Sequence, residues 1–325
     1  MQWNHKIFGV KEGNFDVLAL DIFRFQSTDS PIYKAYLGAL NINPLSINSI
    51  KQIPFLPISF FKSHAVQTTL FEPAAIFESS GTTGSINSRH LVKDLSLYEE
   101  SFIRGFELFY GPVKEYCILG LLPSYLERQH SSLVYMVDKL IQLSEHPQSG
   151  FYLDEYEKLF TILNELEKRK QKTILIGVTF ALLDFAEKYS LPLSHTTIIE
   201  TGGMKGRREE MIRLQVHNGM KKSFDISVIH SEYGMTELLS QAYSKGAGIF
   251  NCPPWMKVMI RDEEDPLLVK EHGYGVINSI DLANIYSCSF IATDDAGKIN
   301  ADGSFEVLGR VDGSDVRGCS LMILE

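Results

Sequence analysis

The sequence predicts an α/β protein: a parallel sheet covered by helices, followed by a small antiparallel β region. Three observations predict it. Short apolar runs such as "YCILGLL" (116–122) and "TILIGV" (173–178) have the length and content of buried strands. Between them lie longer stretches with apolar residues at helical spacing, such as "DEYEKLFTILNELEKRK" (154–170). From about residue 245 the helical stretches give way to short strands and a hairpin.

In chain order, "NFDVLALDIFRFQ" (14–26) reads as a helix with Asn14 as N-cap. "PLSINSIKQIPFLPISFFK" (44–62) is rich in Pro and Ser, yet its Phe and Ile residues want burial, so it reads as an extended entry segment. "AAIFESS" (74–80) is a strand running into a Gly-rich loop, and "SLYEESFIRGFELFYG" (96–111) is a helix with a capping box from Ser96 to Glu99. The expected order continues as strand 116–122, helix 131–143, helix 154–170, strand 173–178, helix 180–189, strand 196–203, helix 209–219 and strand 225–234. "KVMIRD", "GVINSID" and "SFIAT" follow as short strands, and "KINADGSFEVLGR" (298–310) is a hairpin turning at Asp302-Gly303.

Composition bounds the function. The 325 residues, 44% hydrophobic and 22% charged, suit a soluble globular protein of one large domain or two ordinary ones. A net charge of -9 argues against a general nucleic-acid binder, though not against a local phosphate pocket. No run approaches the roughly 18 apolar residues of a membrane span, and the N-terminus has no signal-peptide pattern. Cys117, Cys252, Cys288 and Cys319 lie far apart with no CxxC pair, which argues for free thiols, a cytoplasmic setting and no structural metal.

"ESSGTTGSINSR" (78–89) holds more Ser, Thr and Gly than a turn needs. Such a loop can aim backbone N–H groups and hydroxyls at a polyphosphate, but it is neither a P-loop nor a dinucleotide fingerprint. Taken alone, it fits a flexible polar turn equally well. Three more segments bear on it: "ETGGMKG" (200–206), "SEYGMTE" (231–237) and "ATDDAGKINADGSFEVLGRVDG" (292–313). In this order, the four resemble the adenylate-forming superfamily of acyl-CoA synthetases, adenylation domains and luciferases. Within it the chain most resembles the LuxE-type acyl-protein synthetases.

The resemblance implies the large N-terminal domain of an adenylate-forming enzyme over residues 1–309, with an antiparallel β subregion over about 245–309. Residues 310–325 would be a hinge remnant and tail, and the superfamily's C-terminal domain, with its catalytic lysine, would be missing. It implies ATP and Mg²⁺, a small carboxylic acid as substrate, a fatty acid first among candidates, and an acyl-accepting protein or CoA as partner. Ser79, Ser80, Gly81, Thr82, Thr83 and Gly84 would hold the phosphates, with Arg89 or Lys93 as the nearest cations and Arg89 at the leaving pyrophosphate. Gly202 and Gly203 would wall the adenine, Tyr233 would stack on it, and Gly234 would leave room. Thr236 would bind the α-phosphate and Glu237 the Mg²⁺; the plainer reading of Glu237 is a helix-cap carboxylate.

Asp295 would hold both ribose hydroxyls, unless the alignment slips by one to Asp294, and Arg310 would be the second ribose contact or an ordinary hairpin-end arginine. His130 falls where the family guards its acyl pocket; the plainer reading of a lone His is a surface or packed residue. Cys319, beside Arg317, would carry the acyl group; its alternative is a small buried residue. Cys117 and Cys288 read as structural thiols, and Cys252 as a loop thiol. Rival functions are an acid–CoA or carrier-protein ligase and a non-catalytic ATP-binding subunit.

Overall fold

A computed structural model describes residues 2–79, 86–123, 130–202 and 213–311. The chain opens with helices α1 (Gln2–Phe8), α2 (Phe15–Asp29) and α3 (Pro31–Ala39). Strand β1 (Leu56–Pro57) and the short α4 (Phe60–Ser63) follow, then β2 (Ala75–Glu78), β3 (Arg89–Val92) and α5 (Leu95–Tyr110). The central part runs β4 (Cys117–Leu121), α6 (Ser132–Ser144), β5 (Gly150–Phe151), α7 (Tyr156–Lys168), β6 (Thr173–Val178), α8 (Thr179–Lys188), β7 (Thr196–Thr201) and α9 (Arg213–Phe224). The last part is mostly strand: β8 (His230–Tyr233), β9 (Ala242–Ser244), β10 (Ile249–Asn251), β11 (Met256–Arg261), β12 (Val269–Lys270), β13 (Gly273–Asp281), β14 (Phe290–Ile299) and β15 (Phe305–Arg310), with one 3₁₀ turn, Leu282–Asn284, between β13 and β14.

The predicted class is borne out. β5, β4, β6, β7 and β8 pair in parallel in that order. The antiparallel region is not a separate sheet. β8 pairs antiparallel with β9, and the ladder continues β10-β15-β14-β13-β11-β12; with β1 beside β14, thirteen strands of the described residues share one hydrogen-bonded sheet. A change of direction at one strand pair, β8 with β9, joins the two halves without creating two new sheet edges.

Two local expectations are corrected. The strand "AAIF" does not feed a strand-loop-helix unit: β2 pairs antiparallel with β3 in a two-stranded sheet, so the Ser/Thr/Gly segment joins two hairpin strands. Helix α5 is capped by Asp94, whose extended backbone lets its carboxylate accept from Ser96 N–H, two residues ahead of the expected cap.

Helical periodicity explains the packing. In α7, Leu159, Leu163 and Leu166 are buried while Glu157, Lys158, Glu165 and Lys168 are exposed, the one-sided stripe that a helix on a sheet requires. Burying three such leucines is worth about 1.5–3 kcal/mol each before chain entropy is counted. In α2, Phe15, Leu18, Ala19, Ile22 and Phe23 are buried, and Phe23 meets Tyr33 and Phe290 edge-on. Gln26 ends this stripe, fully buried. It donates to the carbonyls of Asn284 and Ile285 and accepts from Ser289 N–H at 2.9 Å, tying α2 to the segment between β13 and β14.

Candidate active site

Asp295 and Arg310 face each other across the β14–β15 ladder. Asp295 is buried and points away from its neighbour Asp294, which is half-buried. One oxygen, Oδ2, accepts the Tyr233 hydroxyl at 2.8 Å. The other, Oδ1, lies 3.4 Å from Arg310 Nε, near enough for charge pairing, yet neither atom has a hydrogen-bond partner. Burial pushes the Asp295 carboxyl up, and Arg310 and the Tyr233 hydroxyl oppose that. The structure thus brings Tyr233, Asp295 and Arg310 together and gives Asp295, rather than Asp294, the inward position. The Tyr233 ring is buried beside Phe250 and Phe305, the latter edge-on at 5.4 Å.

The segment 236–240 leaves β8 and is held from three directions. His90 Nδ1 donates to the Thr236 carbonyl at 2.8 Å. Asn284 Nδ2 donates to the Glu237 carbonyl at 2.7 Å, which turns its Oδ1 toward His90 Nε2 at 2.9 Å. Burial drives the His90 imidazole down to about 4, against the help of those two acceptors. Asp281 accepts from Leu239 N–H, Ser240 N–H, Ala283 N–H and the Ser240 hydroxyl. Burial pushes its carboxyl up to about 6, but four donors and no acceptor face its oxygens, a set that suits the ionised form. Thr236 is half-buried and Glu237 buried.

At the carboxyl ends of β7 and β8 two carboxylates sit side by side. Glu200 is fully engaged: Thr179 donates at 2.8 Å, His217 Nε2 lies at 3.0 Å and Ser231 donates at 3.2 Å. These partners outweigh burial and hold its pKa below the ordinary value. Glu232 accepts from the Thr201 hydroxyl at 2.5 Å, and burial plus the Glu200 charge lift it to about 7. Gly202 follows at φ 71°, a left-handed turn that suits glycine, and its carbonyl, 2.9 Å from Thr179 Oγ1, shares that hydroxyl's one proton with Glu200.

The remaining expected residues divide. Ser80, Gly81, Thr82, Thr83, Gly84, Gly203 and Cys319, with Arg317, lie outside the described residues. Ser79 is described and closes the base of the Ser/Thr/Gly segment: it exchanges two hydrogen bonds with Ser88, at 3.0 and 2.9 Å. Arg89 is exposed and stands opposite Glu78 in the hairpin. Lys93 is turned toward Thr69 and lies over the Tyr286 ring at 4.3 Å. His130 is exposed, and its carbonyl accepts from Glu78 N–H. Cys117 and Cys288 are buried, their thiols pushed up to about 11 and about 12, as structural thiols should be; Cys252 is half-buried.

Sequence reasoning missed His90, Asp281, Asn284 and Gln26. Each acts on backbone far away in the chain, and only the burial of polar types within apolar runs marks them in the sequence.

Among the described residues no helix is long and apolar enough to cross a membrane. The family model for acyl-protein synthetase, LuxE, matches residues 9–325. No curated protein matches. Among solved structures, an open conformation of 2-hydroxyisobutyryl-CoA ligase, in complex with 2-HIB-AMP and CoA, aligns over 91% of this chain and 74% of its own, with 10% identity and TM-score 0.64. ATP-bound MatB from Rhodopseudomonas palustris aligns over 75% of this chain and 50% of its own, with 17% identity and TM-score 0.55. MenE from Bacillus subtilis, an O-succinylbenzoate coenzyme A synthetase in complex with ATP and magnesium, aligns over 76% and 53%, with 15% identity and TM-score 0.50. The chain spans about half the length of the first of these relatives, MatB and a chimera built on it. These likenesses establish the fold of adenylate-forming ligases, and the family match over nearly the whole chain establishes that the protein belongs to the LuxE acyl-protein synthetase family.

Proposed function

We propose that the protein activates a carboxylic acid with ATP and passes the acyl group to a thiol. The acid's carboxylate oxygen attacks the α-phosphorus. The bond to the bridging oxygen breaks, pyrophosphate leaves with that electron pair, and an acyl-adenylate remains. A thiolate then attacks the acyl carbonyl and expels AMP. Cys319 is the proposed carrier, with an acceptor protein or CoA as the later acceptor and a fatty acid as the first substrate to test.

The observation that carries this reading is the stranded pair at Asp295 and Arg310. A buried carboxylate oxygen and a buried guanidinium nitrogen, each without a hydrogen bond, are costly unless a ligand completes them. The two hydroxyls of a ribose supply the missing donors for Asp295, and one of the same oxygens can accept from Arg310. Ser79 to Gly84 would face the phosphates, Gly202 and Gly203 the adenine, and Tyr233 and Gly234 the base. Thr236 would donate to the α-phosphate, with Arg89 at the departing pyrophosphate.

The residues present also fit Mg²⁺. Among the described residues no three His, Cys, Asp or Glu side chains converge as a metal cage. Magnesium in nucleotide sites is commonly held by one or two carboxylates and the phosphates themselves, which leaves Glu237 as a sufficient protein ligand. Bound there, it would neutralise charge on the phosphate oxygens. The His90–Asn284–Asp281 set acts on the backbone of 236–240 and so presents Thr236 and Glu237.

The test is intact-protein mass after incubation with ATP, Mg²⁺ and fatty or aryl acids. A gain of one acyl group, lost in Cys319→Ala, is the expected result. Pyrophosphate release with no gain would move the acceptor to CoA or a carrier protein. Nucleotide binding without pyrophosphate release from any acid would overturn the reading.

A further inference from the structure

Asp295 sits in an irregular part of β14. Val276 of β13 stands opposite Ala296, but Asn278 stands opposite Ala292. Three residues of β14, Thr293, Asp294 and Asp295, therefore face the single Ile277 of β13, so β14 bulges where it carries Asp295. On its other side the same stretch keeps its partners: Asp295 pairs with Arg310, and the Asp294 carbonyl accepts from Val311 N–H at 3.0 Å. A bulge re-aims the side chains it carries, and it interrupts the ladder to the neighbouring strand.

Side chains bridge that interruption. The Thr293 hydroxyl donates to the Ile277 carbonyl at 2.8 Å and accepts from Asp295 N–H at 3.1 Å. Arg261, half-buried at the end of β11, reaches across β13 to the same place. Its Nη1 donates to the Ile277 carbonyl at 3.2 Å and to Asn278 Oδ1 at 2.9 Å, and its Nη2 donates to the Thr293 carbonyl at 2.6 Å. A guanidinium holds its N–H groups in one rigid plane, so three acceptors on two strands fix both the bulge and the arginine. Asn278 is fully buried and its Nδ2 has no hydrogen-bond partner; what it gains at that position is the bond from Arg261 to its Oδ1. Arg261 also acts by charge. Burial pushes the Asp295 carboxyl up, Arg310 opposes this most, and Arg261 adds to the opposition.

We propose that Arg261 is a positioning residue for nucleotide recognition: by clamping the β14 bulge to β13 it sets the direction of the Asp295 carboxylate, and with it the preference for ribose over deoxyribose nucleotides. The inference rests on the reading that Asp295 meets the ribose, and it adds a residue that acts through Thr293 and Ile277. A carboxylate that serves two hydroxyls at once tolerates little displacement, and a shift of about 1 Å in a positioned group can cost on the order of 100-fold.

The experiment measures Kd by calorimetry for ATP, 2′-deoxy-ATP and 3′-deoxy-ATP. The readout is the ratio of each deoxy Kd to the ATP Kd on one preparation, which a loss of folded protein does not move. Wild type is expected to favour ATP by about tenfold or more, since a site built to bond a hydroxyl rejects the analogue without it. R261M is expected to bring both ratios toward one. R261K, which keeps a charge but not the fork, should fall between. N278A, which removes one of the three acceptors, should move the ratios in the same direction and carries the test if R261M does not fold. D295N gives the reference for complete loss of ribose recognition. Wild-type ratios retained in folded R261M or N278A, including a uniform weakening of all three ligands, would overturn the inference, while a collapse in D295N alone would leave the ribose role of Asp295 standing. Equal binding of all three nucleotides by wild type would overturn both.

Discussion

Removing the Asp281 carboxylate tests how segment 236–240 is held. Its oxygens receive three backbone N–H groups, from Leu239 at 2.7 Å, Ser240 at 2.9 Å and Ala283 at 3.1 Å, and the Ser240 hydroxyl. Asp281 is fully buried, so water does not replace it. Asp281→Ala leaves three N–H groups without an acceptor; the Ser240 hydroxyl retains Ser101 at 3.0 Å. A stranded buried donor costs about 1–3 kcal/mol, so three cost roughly 3 kcal/mol or more, a large part of an ordinary domain's stability. Asp281→Asn is milder. Its amide oxygen can serve Leu239 and Ser240, the Ser240 hydroxyl can rotate to accept, and only Ala283 N–H loses its partner, for about 1–3 kcal/mol. Urea unfolding at neutral pH should rank wild type above Asn above Ala, and nucleotide affinity should fall in the same order. An Ala variant within about 0.5 kcal/mol of wild type would refute the reasoning, since that is the range of a neutral surface change.

Asp295→Asn removes the charge facing Arg310 but keeps an acceptor for Tyr233; calorimetric ATP affinity should fall about tenfold or more, and an unchanged Kd would remove the ribose role. Glu232 gives a pH-dependent effect. Unfolded, it releases its proton near 4.5; folded, near 7. Its burial is therefore free of penalty below pH 4.5, becomes destabilising as pH rises toward 7, and reaches full cost above that. E232Q should stabilise the protein at pH 8 by on the order of 1–3 kcal/mol and add little at pH 4.5, whereas equal gains at both would contradict this. Gly297→Ala, in the irregular register beside Asp295, puts a Cβ 2.8 Å from the Glu306 carbonyl and 2.6 Å from Ile277 Cδ1. Thermal unfolding should register about 1–3 kcal/mol of destabilisation, and a neutral result would mean that the ladder yields there.

Much of this molecule can be read from its sequence because the periods are clean. Apolar runs at 117–121 and 173–178 are long enough for one buried strand each, and the leucine stripe of α7 admits only a helix lying on a surface. Local chemistry was less exact where two residues could do one job. Asp94 and Ser96 are both good caps, and backbone conformation at Asp94 decided between them. The strand before the Ser/Thr/Gly segment gave no sign of its direction, because a strand carries no mark of whether its partner runs parallel or antiparallel.

Motif order alone carried the family resemblance and pointed to Tyr233, Thr236, Glu237, Asp295 and Arg310. Such segments keep their residue types at fixed local spacing whatever the rest of the chain does. The sequence could not choose between Asp294 and Asp295, a question of which face of β14 each occupies; the ladder to Arg310 decided it. Nor could it find His90, Asn284, Asp281 or Gln26 as supports, or Arg261 as a partner of Thr293. Periodicity and motifs are properties of adjacent residues, so the sequence by itself determined the elements and the family. Buried polar partnerships join residues as far apart as Gln26 and Ser289, and only the closed tertiary structure, which removes the water that would otherwise satisfy them, decided which groups pair and which are left without a partner.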